Sequence, residues 1–164
     1  MPSTTKINSV WSEIERQIFS TVGFVTPDQH ARTSGVVHTL DDNKVYFSVE
    51  NQSWKARHIA KNPYVSLTVI APRRIPLLPW VKLPPATISF SGKAVITNFS
   101  ERSPAIKQAL FRGTANKKAV AKALLVEVVP QGYFLTYGIG MPFWKMVNPS
   151  KAQQRVKIAP RTTC

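Results

Sequence analysis

Cysteine is all but missing from this 164-residue chain: Cys164, the last residue, is the only one. A disulfide framework, a CxxC redox pair and a cysteine-based zinc site are therefore excluded, and a reducing, cytoplasmic setting fits. Acids are also scarce, eight against 22 lysines and arginines, and too dispersed to suggest a paired general acid and base. The three histidines, His30, His38 and His58, do not have the spacing that puts two ligands on one helical face, so no metal site is expected. No apolar run approaches the roughly 18 residues of a membrane helix, and the polar first 12 residues lack the layout of a signal peptide, so neither insertion nor export is expected. Phosphate-loop and nucleophile-elbow patterns are missing too, and Gly138-Ile139-Gly140 is only a fragment of a dinucleotide fingerprint.

What is present suits one globular domain over 1–164 with a basic tail over 141–164. Apolar and aromatic residues make up 43% of the chain and the net charge is +14, enough for a core and a field attractive to phosphates and other polyanions. Val10, Trp11, Ile14, Ile18 and Val22 recur at helical spacing behind the potential caps Asn8 and Ser9, which predicts an opening helix. Runs 32–40 and 44–49 flank Asp41-Asp42-Asn43 as a hairpin. Ser53 caps a short helix, 54–61, that Pro63 forces to stop. Strands follow at 64–70 and 86–97, the second with Gly92 marking a bulge or close backbone approach. Ser103-Pro104 opens a helix to about 112, a basic helical turn holds Lys117, Lys118 and Lys122, and strands at 124–129 and 132–137 are broken by Pro130-Gln131. Five prolines exclude a central strand from 71–85. Six strands joined mostly by hairpins, with a few short helices, make the chain mainly β: a small antiparallel barrel.

The densest chemistry is at Ser48-Val49-Glu50-Asn51-Gln52-Ser53-Trp54-Lys55-Ala56-Arg57, where a strand ends and a helix opens. Free N–H groups at a helix start, a hydroxyl and two cations form a phosphate seat. Taken alone, the pattern reads first as a capped helix with solvated cations, although cations at that end oppose the helix dipole.

Lys44-Val45-Tyr46-Phe47-Ser48, Ser53-x-Lys55-x-Arg57-x-Ile59, Asn62-Pro63-Tyr64-Val65-Ser66-Leu67 and Phe90-Ser91-Gly92-Lys93-Ala94, in that order, resemble the pyridoxamine 5′-phosphate oxidase-like, flavin-binding split-barrel family. The resemblance implies a six-stranded antiparallel split β-barrel and a homodimer with FMN, or the deazaflavin coenzyme F-420, at its interface. By the same resemblance Thr33, Ser34, Gly35 and Val36 lie along the flavin ring, with His38 just beyond, and Ser48 and Val49 meet the ribityl chain and phosphate. Ser53, Trp54, Lys55 and Arg57 hold the phosphate, and Thr87 reaches the ring. Trp54 stands where the family often has a basic residue, so Arg57 or Arg32 would take over a contact. Trp144 and Arg155 are candidates to approach from a partner subunit. No histidine follows His58, so the family's Arg-x-His substrate segment is missing and vitamin B6 oxidation is not expected.

The expected activity is a flavin-dependent hydride transfer to or from a small planar substrate, its catalytic residues unknown. Alternatives are a deazaflavin-dependent reductase, a non-catalytic cofactor carrier, and a basic polyanion-binding module, the last without any nucleic-acid recognition motif. Residues 71–85 are a candidate lid, a rigid crossover, or a membrane-surface contact.

Overall fold

The computed structural model describes residues 4–73, 83–112, 117–146 and 148–161. The chain runs through α1 (Thr4–Arg16), β1 (Phe19–Val25), β2 (Ala31–Asp41), β3 (Lys44–Glu50), α2 (Trp54–Lys61), β4 (Tyr64–Ala71) and β5 (Ala86–Thr97). It continues through α3 (Pro104–Leu110), α4 (Lys117–Ala121), β6 (Ala123–Tyr137), α5 (Phe143–Met146), α6 (Pro149–Ala152) and β7 (Gln153–Lys157). The strands lie in the order β3-β2-β1-β4-β5-β6-β7, and β3 also pairs with β6. That pairing closes six antiparallel strands into a barrel and leaves β7 outside it, on the second half of β6. Among the described residues no helix is long and apolar enough to cross a membrane.

Local chemistry explains the well-anticipated parts. Asp42 and Asn43 take φ of 44° and 57° between β2 and β3, as a two-residue turn with both central residues left-handed requires. The Ser53 hydroxyl accepts from the Ala56 amide, and that of Ser103 from the Ala105 amide ahead of Pro104 at the first helical position. A Cβ on Gly92 would stand 2.8 Å from the Val129 carbonyl oxygen, and the β5–β6 register shifts beside it, between Ser89 and Ser91. Gly92 therefore marks both a close approach and a bulge.

Two sequence expectations are corrected. The opening helix stops at Arg16 and begins at Thr4, so Asn8 and Ser9 lie within it. Val10, Trp11 and Ile14 are buried on it, but Val22 belongs to β1, where Ser20, Val22 and Phe24 alternate inward. A four-residue spacing carried from helix into strand by coincidence hid that strand. The two late strands are one, β6, which passes through Pro130. Its pairing with β3 ends at Val128 and that with β7 begins at Tyr133, so Pro130 sits where one edge asks for no amide donor. Within the basic tail β7 joins the sheet, Val156 and Ala152 are buried, and the Trp11 indole donates to the Ala159 carbonyl at 2.8 Å.

The main core fills the barrel around Phe47, Leu67, Ile88 and Phe134, and α1 plugs one end with Trp11 edge-on to Phe134. A smaller cluster, Tyr46, Ile106, Leu110 and Leu125, seats α3 on the outside of β3 and β6. Beside it the carboxylate of Glu127 meets Arg102 at 2.7 Å, Lys44 at 3.2 Å and the Tyr46 hydroxyl at 3.1 Å. Burial pushes the Glu127 pKa up, but the bonds from Lys44 and Tyr46 and the charges of Lys44 and Arg102 outweigh it and hold it below the usual carboxylate range. Burial, then the Glu127 charge, raises the Tyr46 phenol, so it stays a donor.

Candidate functional site

The barrel opens where β2 leaves β3. Their pairing covers only His38–Asp41 against Lys44–Phe47, whereas β2 pairs with β1 from Ala31 to Val37. His38 donates its amide to Ile18 and Thr26 donates its own to His30, at 2.9 Å each, so the even-numbered residues of β2 spend their main-chain groups on β1. Ser34 and Val36 thus face β1 with their backbone, and Thr33, Gly35 and Val37 turn N–H and C=O groups to the open edge. The start of α2 stands across this wedge: the Lys55 ammonium donates to the Ser34 hydroxyl at 3.3 Å. Ser34 in turn reaches the Gly35 carbonyl at 3.4 Å.

Not every candidate residue lies in the wedge. Val36 and Val49 are buried in the core, and Ser48 is half-buried on the opposite side of β3 from Val49. Gly35 has a packing reason of its own, because a Cβ there would meet the Phe19 ring at 2.5 Å. Arg57 is exposed on α2. Trp54 and Arg32 instead line a neighbouring groove of about 290 Å³ with His30, His58, Thr26 and Asp28. There Trp54 packs on Phe24, ring centroids 5.3 Å apart, and on His58 at 6.0 Å. Sequence reasoning missed His58, although its four-residue spacing from Trp54 puts both on one helical face. His38 points into the core: its Nε2 lies 3.0 Å from the Ile14 carbonyl, and burial, only partly offset by that bond, lowers its pKa.

Thr87 lies far from the wedge. It is on β5, paired with Ile70 and Tyr137, three strands or about 14 Å from β2. It lines an open groove of about 510 Å³ with Leu135, Tyr137, Gln153 and Arg155. The residues attributed to one cofactor are thus not gathered in one place on the molecule: Ser34 and Lys55 meet across the wedge, Arg32 and Trp54 line a neighbouring groove, and Thr87 lies in a third. Of the candidate lid, 71–85, Ala71 ends β4 and Arg73 is bound to Glu13 at 3.6 Å, while residues 74–82 lie outside the described residues.

The closed six-stranded antiparallel barrel with one outer strand has the pyridoxamine 5′-phosphate oxidase-like split-barrel fold of the solved structures it resembles. An F420 reductase is 19% identical, with 75% of this chain and 93% of that one covered and a TM-score of 0.55. A candidate pyridoxamine 5′-phosphate oxidase from Listeria innocua is 12% identical over 75% of this chain and 91% of its own, TM-score 0.59. The heme storage protein HutZ from Vibrio cholerae is 12% identical over 80% and 94%, TM-score 0.61. At these identities the likeness is one of fold. No family model and no curated protein matches the sequence.

Proposed function

We propose that this chain is a cytoplasmic flavin-dependent oxidoreductase that binds FMN, or the deazaflavin coenzyme F-420, between the subunits of a homodimer. The observation that carries the reading is the Lys55–Ser34 bridge across the wedge. It brings a cation, a hydroxyl and the start of a capped helix together beside an unpaired strand edge, a donor set that fits a phosphate and a ring bearing carbonyl and N–H groups. The neighbouring F420 reductase and the candidate pyridoxamine 5′-phosphate oxidase support the same cofactor class.

Lys55 and Ser53 would hold the phosphate, with Arg57 on the same helix and Arg32 as further candidate cations, and Thr33 and Gly35 would offer main-chain groups to the ring edge. When bound, the cofactor supplies the hydride chemistry. The protein orients the ring and the substrate and keeps water from the face between them. Dimerisation is supported by the outward face of the sheet. Gly35, Thr21, Thr68, Ser89 and Leu135 follow one another in register across it, and Phe19, Val37, Tyr64 and Leu135 are exposed there. A two-fold partner laid on this face would bring the wedge of one subunit and the Thr87 groove of the other to a common interface.

Titration of cofactor-free protein with FMN and with F-420, followed by fluorescence, tests the reading. One of them should bind at micromolar or tighter affinity and survive moderate salt, and Lys55→Ala should weaken it about tenfold or more. Unchanged affinity in Lys55→Ala would remove the phosphate seat.

A second reading is favoured by the Trp54 groove, whose two imidazoles, His30 and His58, lie beside an indole and Arg32. Such a groove suits the iron and carboxylates of heme, which a protein of the same fold stores. A Soret band that forms with hemin and is lost in a His30→Ala, His58→Ala double variant would establish it.

A further inference from the structure

The eight acids are unevenly placed along the chain: none lies between Glu101 and Glu127, a stretch that holds Arg102, Lys107, Arg112, Lys117, Lys118 and Lys122. The fold gathers that stretch on one side of the barrel. Ile106 and Leu110 bury the inner side of α3 against Tyr46 and Leu125, and Lys107, three residues before Leu110, and Arg112, two beyond it, are left exposed. Lys122 follows α4, its carbonyl accepting from the Asn51 amide at 2.9 Å, and it stands three residues or about 10 Å along the chain from Leu125. Lys118, four residues earlier and also exposed, is its neighbour at about 6 Å on one side of that helical turn. Lys107, Arg112, Lys118 and Lys122 thus lie within about 20 Å of one another.

The bordering acids do not cancel these charges. Glu127 is shared by Lys44 and Arg102, and Glu101 accepts from Thr97 and Asn98. Glu50, paired through its backbone with Ala123, borders Lys122 without an ion pair to it. Among the described residues none of the four cations meets a carboxylate. Like charges four residues apart destabilise a helical turn, so local stability does not account for Lys118 beside Lys122.

We propose that this α3–α4 side binds the phosphate backbone of a nucleic-acid duplex without reading its sequence. A duplex presents one charge per about 1.7 Å, about a dozen over such a span, and each cation that neutralises a phosphate releases condensed counterions. Stacking on single-stranded bases needs free aromatic faces, but the rings of the α3 cluster, Phe99 and Phe111, pack on each other with centroids 5.5 Å apart. An anionic membrane is held by apolar side chains set among the cations, whereas Ile106 and Leu110 are buried. None of the four cations belongs to the proposed cofactor site, so the inference does not rest on the flavin reading.

Fluorescence anisotropy of a labelled DNA duplex, titrated with the full-length protein, tests it. Four phosphate contacts predict a slope of log K against log salt of about −3.6, a loss of about a hundredfold between about 50 and 200 mM salt. Replacing Lys107, Arg112, Lys118 and Lys122 together by glutamine should abolish binding, and each single replacement should flatten the slope by about 1, with Tm and FMN or F-420 affinity unchanged. A control that loses the same charge from exposed cations elsewhere, Lys6→Gln with Arg16→Gln, Lys151→Gln and Lys157→Gln, should bind within about threefold of wild type, because distant charges are screened. A duplex that wild type ignores at low salt, a control variant as defective as the α3–α4 one, or vesicles of phosphatidylserine and phosphatidylcholine that bind as tightly as the duplex would each overturn the proposal.

Discussion

Replacing Glu127 by glutamine removes one negative charge and almost no volume. The carboxylate is 8% exposed, and its partners Lys44 and Arg102 are 32% and 38% exposed. A fully buried charge stripped of its partner costs about 3–5 kcal/mol, but these two cations can turn to water and the amide oxygen still accepts from Tyr46, so about 2 kcal/mol is expected. With a urea slope of about 2 kcal/mol/M, the unfolding midpoint should fall by about 1 M at unchanged slope. Glu127 is more acidic folded than unfolded. Its contribution is therefore complete above the ordinary carboxylate pKa of about 4.3 and disappears as pH falls through the lower folded value. The gap between wild type and Glu127→Gln should be constant from pH 7 to about pH 5 and close below pH 4. A gap under about 0.5 kcal/mol at pH 7, or one that persists unchanged at pH 3, would refute this account of how α3 is held. Cofactor affinity should not change, because Glu127 lies with Lys44, Arg102 and Tyr46, away from Lys55 and outside the Thr87 groove.

His38→Gln keeps a side-chain N–H for the Ile14 carbonyl while removing a group whose protonation burial opposes. Because the folded pKa is lowered, wild type should lose stability as pH falls below about 6.5, and the variant should lack that slope in urea melts between pH 7 and 5. Gly92→Ala forces a methyl against the Val129 carbonyl and the Val128 side chain and should cost about 2 kcal/mol in the same melts. A midpoint equal to wild type would show that the bulge can open. Ser53→Ala should cost about 1 kcal/mol through the lost cap alone, and Lys55→Ala should leave the melt within about 0.5 kcal/mol while lowering cofactor affinity.

Local signals made most of the fold legible. The Asp42-Asn43 turn, the Ser53 and Ser103 caps and the Gly92 approach each depend on a few neighbouring residues, and each forms where the sequence puts it. What escaped depends on distant partners. β1 is a strand because β2 and β4 flank it, and nothing within residues 19–25 overrides the helical spacing that precedes them. β7 exists because the second half of β6 has an open edge. The site was legible in part for the same reason. Lys55 and Ser53 are read from one helix start, but the Lys55–Ser34 bridge joins residues 21 apart in sequence. Arg155 takes its meaning from Tyr133 on another strand.

The charge of +14 does not by itself select a ligand, and the placement of the acids decides what the excess can do. Glu13, Glu15 and Glu127 are spent on Arg16, Arg73, Arg161, Lys44 and Arg102, so several cations are neutralised within the fold itself. Lys55 and Arg155 escape that pairing, one held by a hydroxyl and the other by a ring. Held by neutral partners, each keeps its full charge while giving up mobility, the condition for binding an anion by contact rather than by diffuse field. Field-held anions are released as the screening length shrinks below about 8 Å at physiological salt, whereas contact-held ones largely remain. Restraint by a neutral partner, rather than the overall charge, is what singles out Lys55 among the cations as the one to test for anion binding by contact.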